Sequence, residues 1–268
     1  MYTSAAKLGL KALKSIHFQK DEYILLTQDS IPGLEDRILL MDRNCSENLF
    51  MGSFLGWEQE ESPCLQIMQF ARLPTAKGRS IRAIWARSTR NCHFKQVEHN
   101  YLVWQKGYSL AWITLSEKGF SGQREDRSGP AISGLIGKHL DISREQGHLL
   151  PDREKDLTSL LTNLALEQGY DLILTSGSTG ITSGDIAPQA TSRVIERRLP
   201  GFELQMTQAS LAQTSHGIIS RAVAGTANKS LIVNLPGSPA AVETNLTALL
   251  PALKHTLDKL RDDPTECA

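Results

Sequence analysis

The residues best suited to chemistry lie in a Ser/Thr/Gly-rich turn in the C-terminal half of the chain. A short apolar run at residues 172–174 breaks into this turn at residues 175–180, and Asp185 follows shortly after it. Because Gly177 and Gly180 permit a sharp turn and a close approach of the backbone, the free N–H groups and hydroxyls there can line a concave anion site. Phosphate is the expected ligand, and Asp185 is placed to hold a hard cation against it.

The same turn also has a purely structural interpretation. A strand followed by a Gly/Ser/Thr turn occurs in many α/β proteins, so the pattern alone leaves open whether a ligand binds. No Gly-Lys-Ser or Gly-Lys-Thr follows the glycines, which argues against the P-loop of kinases and ATPases. The apolar run is too short for a helix and predicts a buried parallel strand, which places the turn at a strand's carboxyl end.

A strand–turn–helix pattern repeats through residues 107–268 and supplies two further turns of this kind. Strands are predicted at residues 110–115, 146–150, 172–174 and 230–233, with another β run at 217–224. Helices are predicted at residues 130–139, 153–168 and, after Pro239, along the apolar positions up to Leu260, with a kink or boundary at Pro251. The turns after residues 115, 174 and 233 gather Ser, Thr, Gly, Asn and carboxylates at one sheet edge, where open parallel sheets bind ligands.

Asp152 stands at the start of the helix predicted over residues 153–168. Its expected structural role is that of an N-cap, in which the carboxylate accepts backbone N–H bonds and stabilises the helix by about 0.5–2 kcal/mol.

Residues 1–106 show a different pattern, which predicts a small β-rich domain ending near Lys106-Gly107. Short β-type runs occur at residues 23–27, 37–41, 65–70, 80–86 and 101–104, after a turn-rich start. A basic stretch without any acid extends from Arg72 to Lys95. Its cations and aromatic residues can recruit an anionic ligand or a partner, and the structural alternative is the solvated face of a sheet.

The composition excludes several classes of function. The 29 basic residues balance the 29 acidic ones, so no net field indicates binding to nucleic acid or to a membrane. Neither a signal peptide nor a membrane-spanning apolar run is evident, and we expect a cytoplasmic chain. Four cysteines without Cys-x-x-Cys spacing are expected to be buried thiols, and Cys92-His93 with His99 fits no zinc pattern.

Six motifs along the C-terminal region identify a family. They are Asp126-Arg-Ser-Gly-Pro130, Leu149-Leu-Pro-Asp152, the turn with Gly184-Asp185-Ile-Ala-Pro-Gln-Ala-Thr191, Arg198-Leu-Pro-Gly-Phe202, Ser220-Arg-Ala222 and Asn234-Leu-Pro-Gly237. In this order and spacing, residues 108–262 resemble the molybdopterin adenylyltransferase family, the MogA/MoaB-type domain that is also the G domain of gephyrin and of its plant counterpart. Residues 1–106 match no family that we can name.

The resemblance implies a three-layer, Rossmann-like α/β fold with a mostly parallel sheet, assembled as a homotrimer. It also implies a step of molybdenum cofactor biosynthesis, the Mg²⁺-dependent transfer of AMP from ATP to molybdopterin with release of pyrophosphate. Asp152 and Asp185 match the essential acidic positions and are assigned to catalysis and to Mg²⁺, and the cap role of Asp152 can hold at the same time. The substrate and nucleotide contacts are assigned to Ser116, Glu117, Thr175, Ser176, Gly177, Ser178, Thr179, Gly180, Ser220, Arg221, Asn234, Pro236, Gly237 and Ser238.

Four positions depart from the usual family pattern. Ser178 stands where Gly is usual, and Glu117 replaces an Asp. Gly184 replaces an Arg and thereby removes a bidentate phosphate donor, and Gln189 replaces a Glu and removes a charge. The alternative function is therefore a carrier or scaffold that binds molybdopterin or its adenylylated form without efficient catalysis, with the β-rich region docking a partner such as another cofactor-synthesis protein.

Overall fold

The computed structural model describes residues 3–31, 33–41, 49–57, 62–74 and 80–262. The chain divides into two compact units, Met1–Gly107 and Tyr108–Ala268. No helix in the described ranges is long and apolar enough to cross a membrane.

The first unit is a closed β-barrel with a small two-stranded sheet. Its strands are β1 (Thr3–Ala12), β2 (Ile16–Phe18), β3 (Tyr23–Thr27), β4 (Ile38–Met41), β5 (Phe54–Trp57), β6 (Leu65–Pro74), β7 (Ser80–Ser88), β8 (Cys92–Phe94) and β9 (Glu98–Gln105). The barrel order is β1-β4-β3-β7-β6-β5-β9, and β2 pairs with β8 outside it. Only β3 and β4 pair in parallel within the barrel order. The turn-rich start expected from the sequence is instead the strand β1, because Leu8, Leu10 and Ala12 are buried at every second position.

Some basic side chains of the stretch from Arg72 to Lys95 contact other side chains of the barrel. The Arg82 guanidinium lies 4.6 Å from the centroid of the Phe70 ring, and Arg87 Nη2 donates to Gln66 Oε1 at 2.9 Å. Lys77 and Arg79 lie outside the described residues. Recruitment of an anion or a partner by this stretch therefore stays a prediction, since at least two of its cations already have neighbours in the fold.

The cysteines follow the expectation of buried thiols where the structure describes them. Cys64 and Cys92 are buried and free, while Cys45 and Cys267 fall outside the described residues.

The second unit is built on a six-stranded mixed sheet. Its strands are β10 (Tyr108–Leu115), β11 (Ile142–Leu150), β12 (Leu172–Ser176), β13 (Arg197–Arg198), β14 (Ala224–Ala227) and β15 (Ser230–Leu235), in the order β11-β10-β12-β15-β14-β13. The first four strands of that order are parallel, and β14 and β13 continue the sheet antiparallel. The predicted parallel arrangement thus holds for the strands whose ends carry the motifs.

Helices cover the sheet. They are α1 (Glu117–Phe120), α2 (Ser128–His139), α3 (Glu154–Thr162), α4 (Ala187–Ser192), α5 (Pro200–Gln213) and α6 (Pro239–Leu260). Leu172 and Leu174 pack in one core with residues of α2, α5 and α6, while α3 packs on α4 and α4 on β15. Ile173, which alternates with them and points to the other face, is also fully buried.

Three local expectations differ in detail from the structure. The helix expected over residues 153–168 is present, but its second part, Asn163–Gln168, is a π-helical segment that follows α3 directly. The β run expected at 217–224 is a 3-10 helix, Ser215–Ile219, followed by extended chain, and the strand β14 starts only at Ala224. Ile218 in this 3-10 helix is exposed. A kink or a boundary was expected at Pro251, and the boundary is wrong because α6 runs through that residue.

Candidate functional site

The parallel strands bring the three predicted turns together at one edge of the sheet. Thr114 pairs with Ser176 across β10 and β12, and Ser176 pairs with Leu235 across β12 and β15, so the strands end side by side. A cavity of about 1010 Å³, which we call the main cavity, opens among the turns that follow. The predicted site residues that line it are Ser116, Glu117, Asp152, Gly177, Ser178, Asp185, Gly237 and Ser238.

The turn after β10 places Glu117 next to Asp152. Ser116 is the N-cap of α1, and its hydroxyl accepts from the Gly119 N–H at 3.0 Å. Leu115 pairs with Leu150 at the ends of β10 and β11, which brings the residues that follow into contact. The Asp152 N–H donates to Glu117 Oε1 at 3.1 Å. A carboxylate thus orients the backbone that carries the first candidate catalytic acid.

Asp152 does not have the capping role expected from the sequence. The N-cap of α3 is Arg153, and it makes no side-chain capping bond. Asp152 instead lines the main cavity. Burial raises the pKa of Asp152, and the neighbouring charges of Glu117 and Asp185 raise it further, while the Ser178 hydroxyl opposes this rise.

Asp185 has the opposite electrostatic environment. Burial alone would raise its pKa, but hydrogen bonds from Thr182 and the Gly180 N–H, together with Arg221, outweigh burial and hold the pKa below its usual value. Thr182 donates to Asp185 Oδ2 from its N–H at 2.8 Å and from its hydroxyl at 2.6 Å. A pair of acids whose surroundings move their pKa values apart is typical of sites in which the two have different tasks.

The turn between the two acids has a backbone that few residues can adopt. Gly177 has φ +99°, and a Cβ there would lie 2.6 Å from the Leu115 carbonyl oxygen. A Cβ at Gly180 would lie 2.8 Å from Asp185 Oδ2, so a side chain there would displace the Asp185 carboxylate. Ser178, between the two glycines, has φ +57°. The glycines are therefore required by close contacts at the site.

The Arg221 side chain is hydrogen-bonded to the backbone of this turn and of the residues that follow it. Its Nε donates to the Gly180 carbonyl at 2.6 Å and its Nη2 to the Asp185 carbonyl at 2.7 Å. The side chain lines a separate small cavity with Asp185 and Gln189, and does not line the main cavity. Arg221, predicted as a ligand contact, thus holds the backbone of the turn in place.

Three other predicted contacts lie inside the sheet. Thr175, Ser176 and Asn234 are fully buried, and Asn234 Nδ2 donates to Thr175 Oγ1 at 2.9 Å and to Thr191 Oγ1 at 2.7 Å. The Ser176 hydroxyl donates to the Pro236 carbonyl at 3.0 Å. None of the three lines the main cavity. They tie β12, β15 and α4 together beneath the turns.

The remaining predicted residues border a second cavity of about 390 Å³, which we call the side cavity. They are Thr179, Gly180, Ser220 and Pro236, and Ser238 lines both cavities. The described side chains around the side cavity include no Lys, Arg, Asp or Glu. Its wall therefore suits an uncharged group, while the charged parts of a ligand suit the main cavity.

Sequence reasoning missed the cations of the main cavity. Lys118, Arg124 and Arg127 line it, and the family motif that includes Arg127 gave the one available signal. Asp126, from the same motif, accepts from Thr114 Oγ1 at 2.8 Å and from the Ser128 N–H at 3.0 Å. It therefore connects the end of β10 to the first turn of α2.

The donor set suits a hard cation, although it is not a complete metal site. Asp152 and Asp185 offer carboxylate oxygens, with hydroxyls beside them, and no described Cys or His lines the main cavity. Among the described residues no group of three or more His, Cys, Asp or Glu side chains is arranged to hold a metal. Mg²⁺ is commonly held by one or two carboxylates plus substrate phosphates, and Asp152 and Asp185 fit that pattern.

Curated relatives share this part of the chain. The chain is 37% identical over 147 residues to the molybdopterin adenylyltransferase of Helicobacter pylori strain J99, covering 54% of this chain and 84% of that protein. The molybdopterin adenylyltransferase of Escherichia coli K12 is 33% identical over 138 residues, or 51% and 71% of the two chains. Gephyrin of Dictyostelium discoideum is 32% identical over 161 residues, which are 57% of this chain and 22% of gephyrin.

Solved structures and a family model cover the same region. The molybdopterin biosynthesis enzyme MoaB from Thermus thermophilus superimposes with a TM-score of 0.54 at 34% identity, covering 59% of this chain and 99% of that one. A structure of MogA gives 0.54 at 32% identity, covering 57% and 99%. Residues 111–255 match the family described as a probable molybdopterin binding domain. Because this match takes in more than half of the chain, the protein belongs to the molybdopterin-binding domain family of molybdenum cofactor biosynthesis.

Proposed function

We propose that the protein is a Mg²⁺-dependent adenylyltransferase that transfers AMP from ATP to the terminal phosphate of molybdopterin. One observation carries the proposal: Asp152 and Asp185 line one cavity with the Gly177–Ser178 turn and are close enough for each charge to affect the other. Relatives named molybdopterin adenylyltransferase, at 33–37% identity, support it.

The proposed reaction exchanges one phosphorus–oxygen bond for another. A phosphate oxygen of molybdopterin attacks the α-phosphorus of ATP, and the bond from that phosphorus to the bridging oxygen breaks as pyrophosphate leaves with the electron pair. Two anions must approach each other, so the barrier contains a large electrostatic repulsion. Mg²⁺ held by Asp152 and Asp185 would supply positive charge that offsets this repulsion.

The residues of this chain take three roles in that reaction. Asp152 and Asp185 hold the cation, and the hydrogen bonds from Thr182 keep Asp185 ionised and oriented. The backbone at Gly177 and Ser178 cradles phosphate. Lys118, Arg124 and Arg127, which line the same cavity, stabilise the charge that gathers on the leaving pyrophosphate.

The side cavity takes the uncharged ring of one substrate. Its volume of about 390 Å³ and its wall, which contains His216 but no Lys, Arg, Asp or Glu, support this assignment. Ser238, which lines both cavities, then lies where the ring part of the ligand meets the phosphate part.

A carrier without efficient catalysis is the second candidate, and Gly184 favours it. Gly184 lines the main cavity. The Arg that is usual in the family at this position would therefore have stood in the proposed phosphate site itself. Gln189 lies outside that cavity, and its replacement of Glu therefore supports the carrier less.

Product formation separates the two functions. The full chain is incubated with ATP, Mg²⁺ and molybdopterin, and adenylyl-molybdopterin is measured by mass spectrometry alongside molybdopterin binding. An adenylyltransferase forms the product over many turnovers and stops when EDTA removes Mg²⁺. Binding of molybdopterin with no product would establish the carrier.

The proposed assembly is a homotrimer formed by the C-terminal unit. Four large apolar side chains in and near α5 are exposed on the single chain, namely Leu204, Leu211, Ile218 and Ile219. An exposed apolar group of this kind is typical of a surface that is covered in an assembly. Light scattering on the full chain tests this, with Ile218→Lys expected to yield monomers. The region of residues 1–106 is proposed as a separate domain that docks another cofactor-synthesis protein.

A further inference from the structure

Ser178 has a backbone conformation that its residue type does not favour. Its φ of +57° lies in the left-handed region, which L-residues other than Gly, Asn and Asp rarely adopt. Such a conformation persists only where surrounding contacts enforce it, and it often marks a functional turn. Since a Gly would fit here without strain, the serine side chain must contribute something that Gly cannot.

The contribution is a set of hydrogen bonds across the turn. Ser178 Oγ donates to the Gly184 carbonyl at 3.0 Å and accepts from the Ile186 N–H at 2.8 Å. The Ser178 carbonyl accepts from the Ala187 N–H at 3.0 Å. The residues on both sides of Asp185 are therefore bonded to one side chain.

The same residue lies in the wall of the candidate metal site. Ser178 is half-buried and lines the main cavity together with Asp152 and Asp185. Its hydroxyl has one proton, which is given to the Gly184 carbonyl. One side chain in the cavity wall thus fixes the backbone that carries Asp185.

We propose that Ser178 is a positioning residue that fixes Asp185 in the wall of the main cavity before the metal binds. This deepens the proposed function and rests on it only for the effect on turnover. The hydrogen bonds of Ser178 fix the backbone on both sides of Asp185. A carboxylate that is already held in place loses less conformational entropy when it binds a small cation. Loss of the Ser178 hydroxyl therefore raises the Mg²⁺ concentration that the site needs.

Two substitutions separate positioning from stability. Ser178→Ala removes the hydroxyl and keeps the backbone strain, whereas Ser178→Gly removes both. Ser178→Gly therefore melts at a higher temperature than Ser178→Ala, yet both lose the hydrogen bonds between Ser178 Oγ and the residues that flank Asp185. Asn228→Gly is the matched control, because Asn228 also has a positive φ of 51° and lies in the turn between β14 and β15, away from the cavities.

Hydrogen exchange on the ligand-free protein tests the network independently of activity. In Ser178→Ala the Ile186 amide, which loses its acceptor, exchanges about tenfold faster, while the Ala187 amide changes less than about twofold. An unchanged Ile186 amide would overturn the proposal.

Metal dependence tests the consequence for the site. In both Ser178 variants the Mg²⁺ concentration for half-maximal turnover rises about fivefold, the value expected for one lost hydrogen bond, while the KM for molybdopterin and the control variant stay unchanged. If the wild type shows no turnover, the proposed function fails. The metal affinity is then measured directly, by electron paramagnetic resonance of Mn²⁺ in the presence of ATP, and the Mn²⁺ affinity of both Ser178 variants is expected to fall about fivefold. An unshifted metal requirement would refute the positioning role.

Discussion

Restoring an Arg at position 184 should strengthen nucleotide binding. Gly184 is exposed and lines the main cavity. A Cβ placed there meets only Thr182 Oγ1, at 3.9 Å, and the residue does not have a positive φ. Gly184→Arg therefore adds a side chain without displacing the turn.

The size of the effect follows from the bond that is added. A hydrogen bond to a charged group contributes about 1.5–3 kcal/mol, and 1.4 kcal/mol corresponds to tenfold in affinity. Solvent screens an exposed guanidinium, so the lower end of this range applies. We expect Gly184→Arg to bind Mg²⁺·ATP about tenfold more tightly than wild type, with the gain shrinking at high salt.

Isothermal titration calorimetry of Mg²⁺·ATP measures this gain directly. Gly184→Gln is the matched control, since it adds a long side chain with hydrogen-bonding groups but no charge. Equal affinities for Gly184→Arg and Gly184→Gln would show that the turn does not face phosphate, and would refute the placement of the triphosphate in the main cavity.

Three further substitutions test the scaffold around the site. Arg261→Ala removes the cation that pairs with Asp171 at 2.6 Å and leaves that carboxylate with its hydrogen bonds from Ser109 alone. The loss of the counter-ion at a site of low exposure should cost about 3 kcal/mol and lower the Tm by about 10 °C without weakening ATP binding; an unchanged Tm contradicts this. Gly147→Ala puts a Cβ 2.1 Å from Trp112 Cζ2, so indole fluorescence should change and stability should fall by about 1–3 kcal/mol, and neither change would occur if the ring could move freely. Arg221→Ala removes the donor to the Gly180 and Asp185 carbonyls. It should lower the free energy of unfolding by about 1–3 kcal/mol and weaken Mg²⁺·ATP binding, whereas loss of stability alone would show that ligand binding does not depend on the hydrogen bonds from Arg221.

The sheet edge that carries the candidate site could be predicted from the sequence, because the signals for it lie in short stretches of the chain. Continuous apolar runs ending in Gly and Ser mark β10, β12 and β15, and parallel pairing then requires their ends to meet. Alternation of apolar residues would also have predicted β1, but the small and polar residues around Leu8 and Leu10 obscured it.

The differences from the sequence predictions concern contacts between residues that are distant in sequence. Asp152 resembles an N-cap locally, but its backbone N–H bonds to Glu117 and the residue lines the main cavity instead. Thr175 and Asn234 are polar, and only their mutual hydrogen bond inside the sheet shows that they serve the scaffold. Burial and pairing of this kind depend on the tertiary fold, which spacing along the chain does not encode.

Pyrophosphate release by wild type and Asp185→Asn is the most direct test of the adenylyltransferase. The neutral amide keeps the size of the side chain and removes the charge that would hold Mg²⁺. With ATP and Mg²⁺, wild type should release pyrophosphate only when molybdopterin is present, and Asp185→Asn should lose that release while still binding molybdopterin. Equal release by both proteins, or no release by wild type with molybdopterin bound, would contradict a catalytic metal site at Asp152 and Asp185.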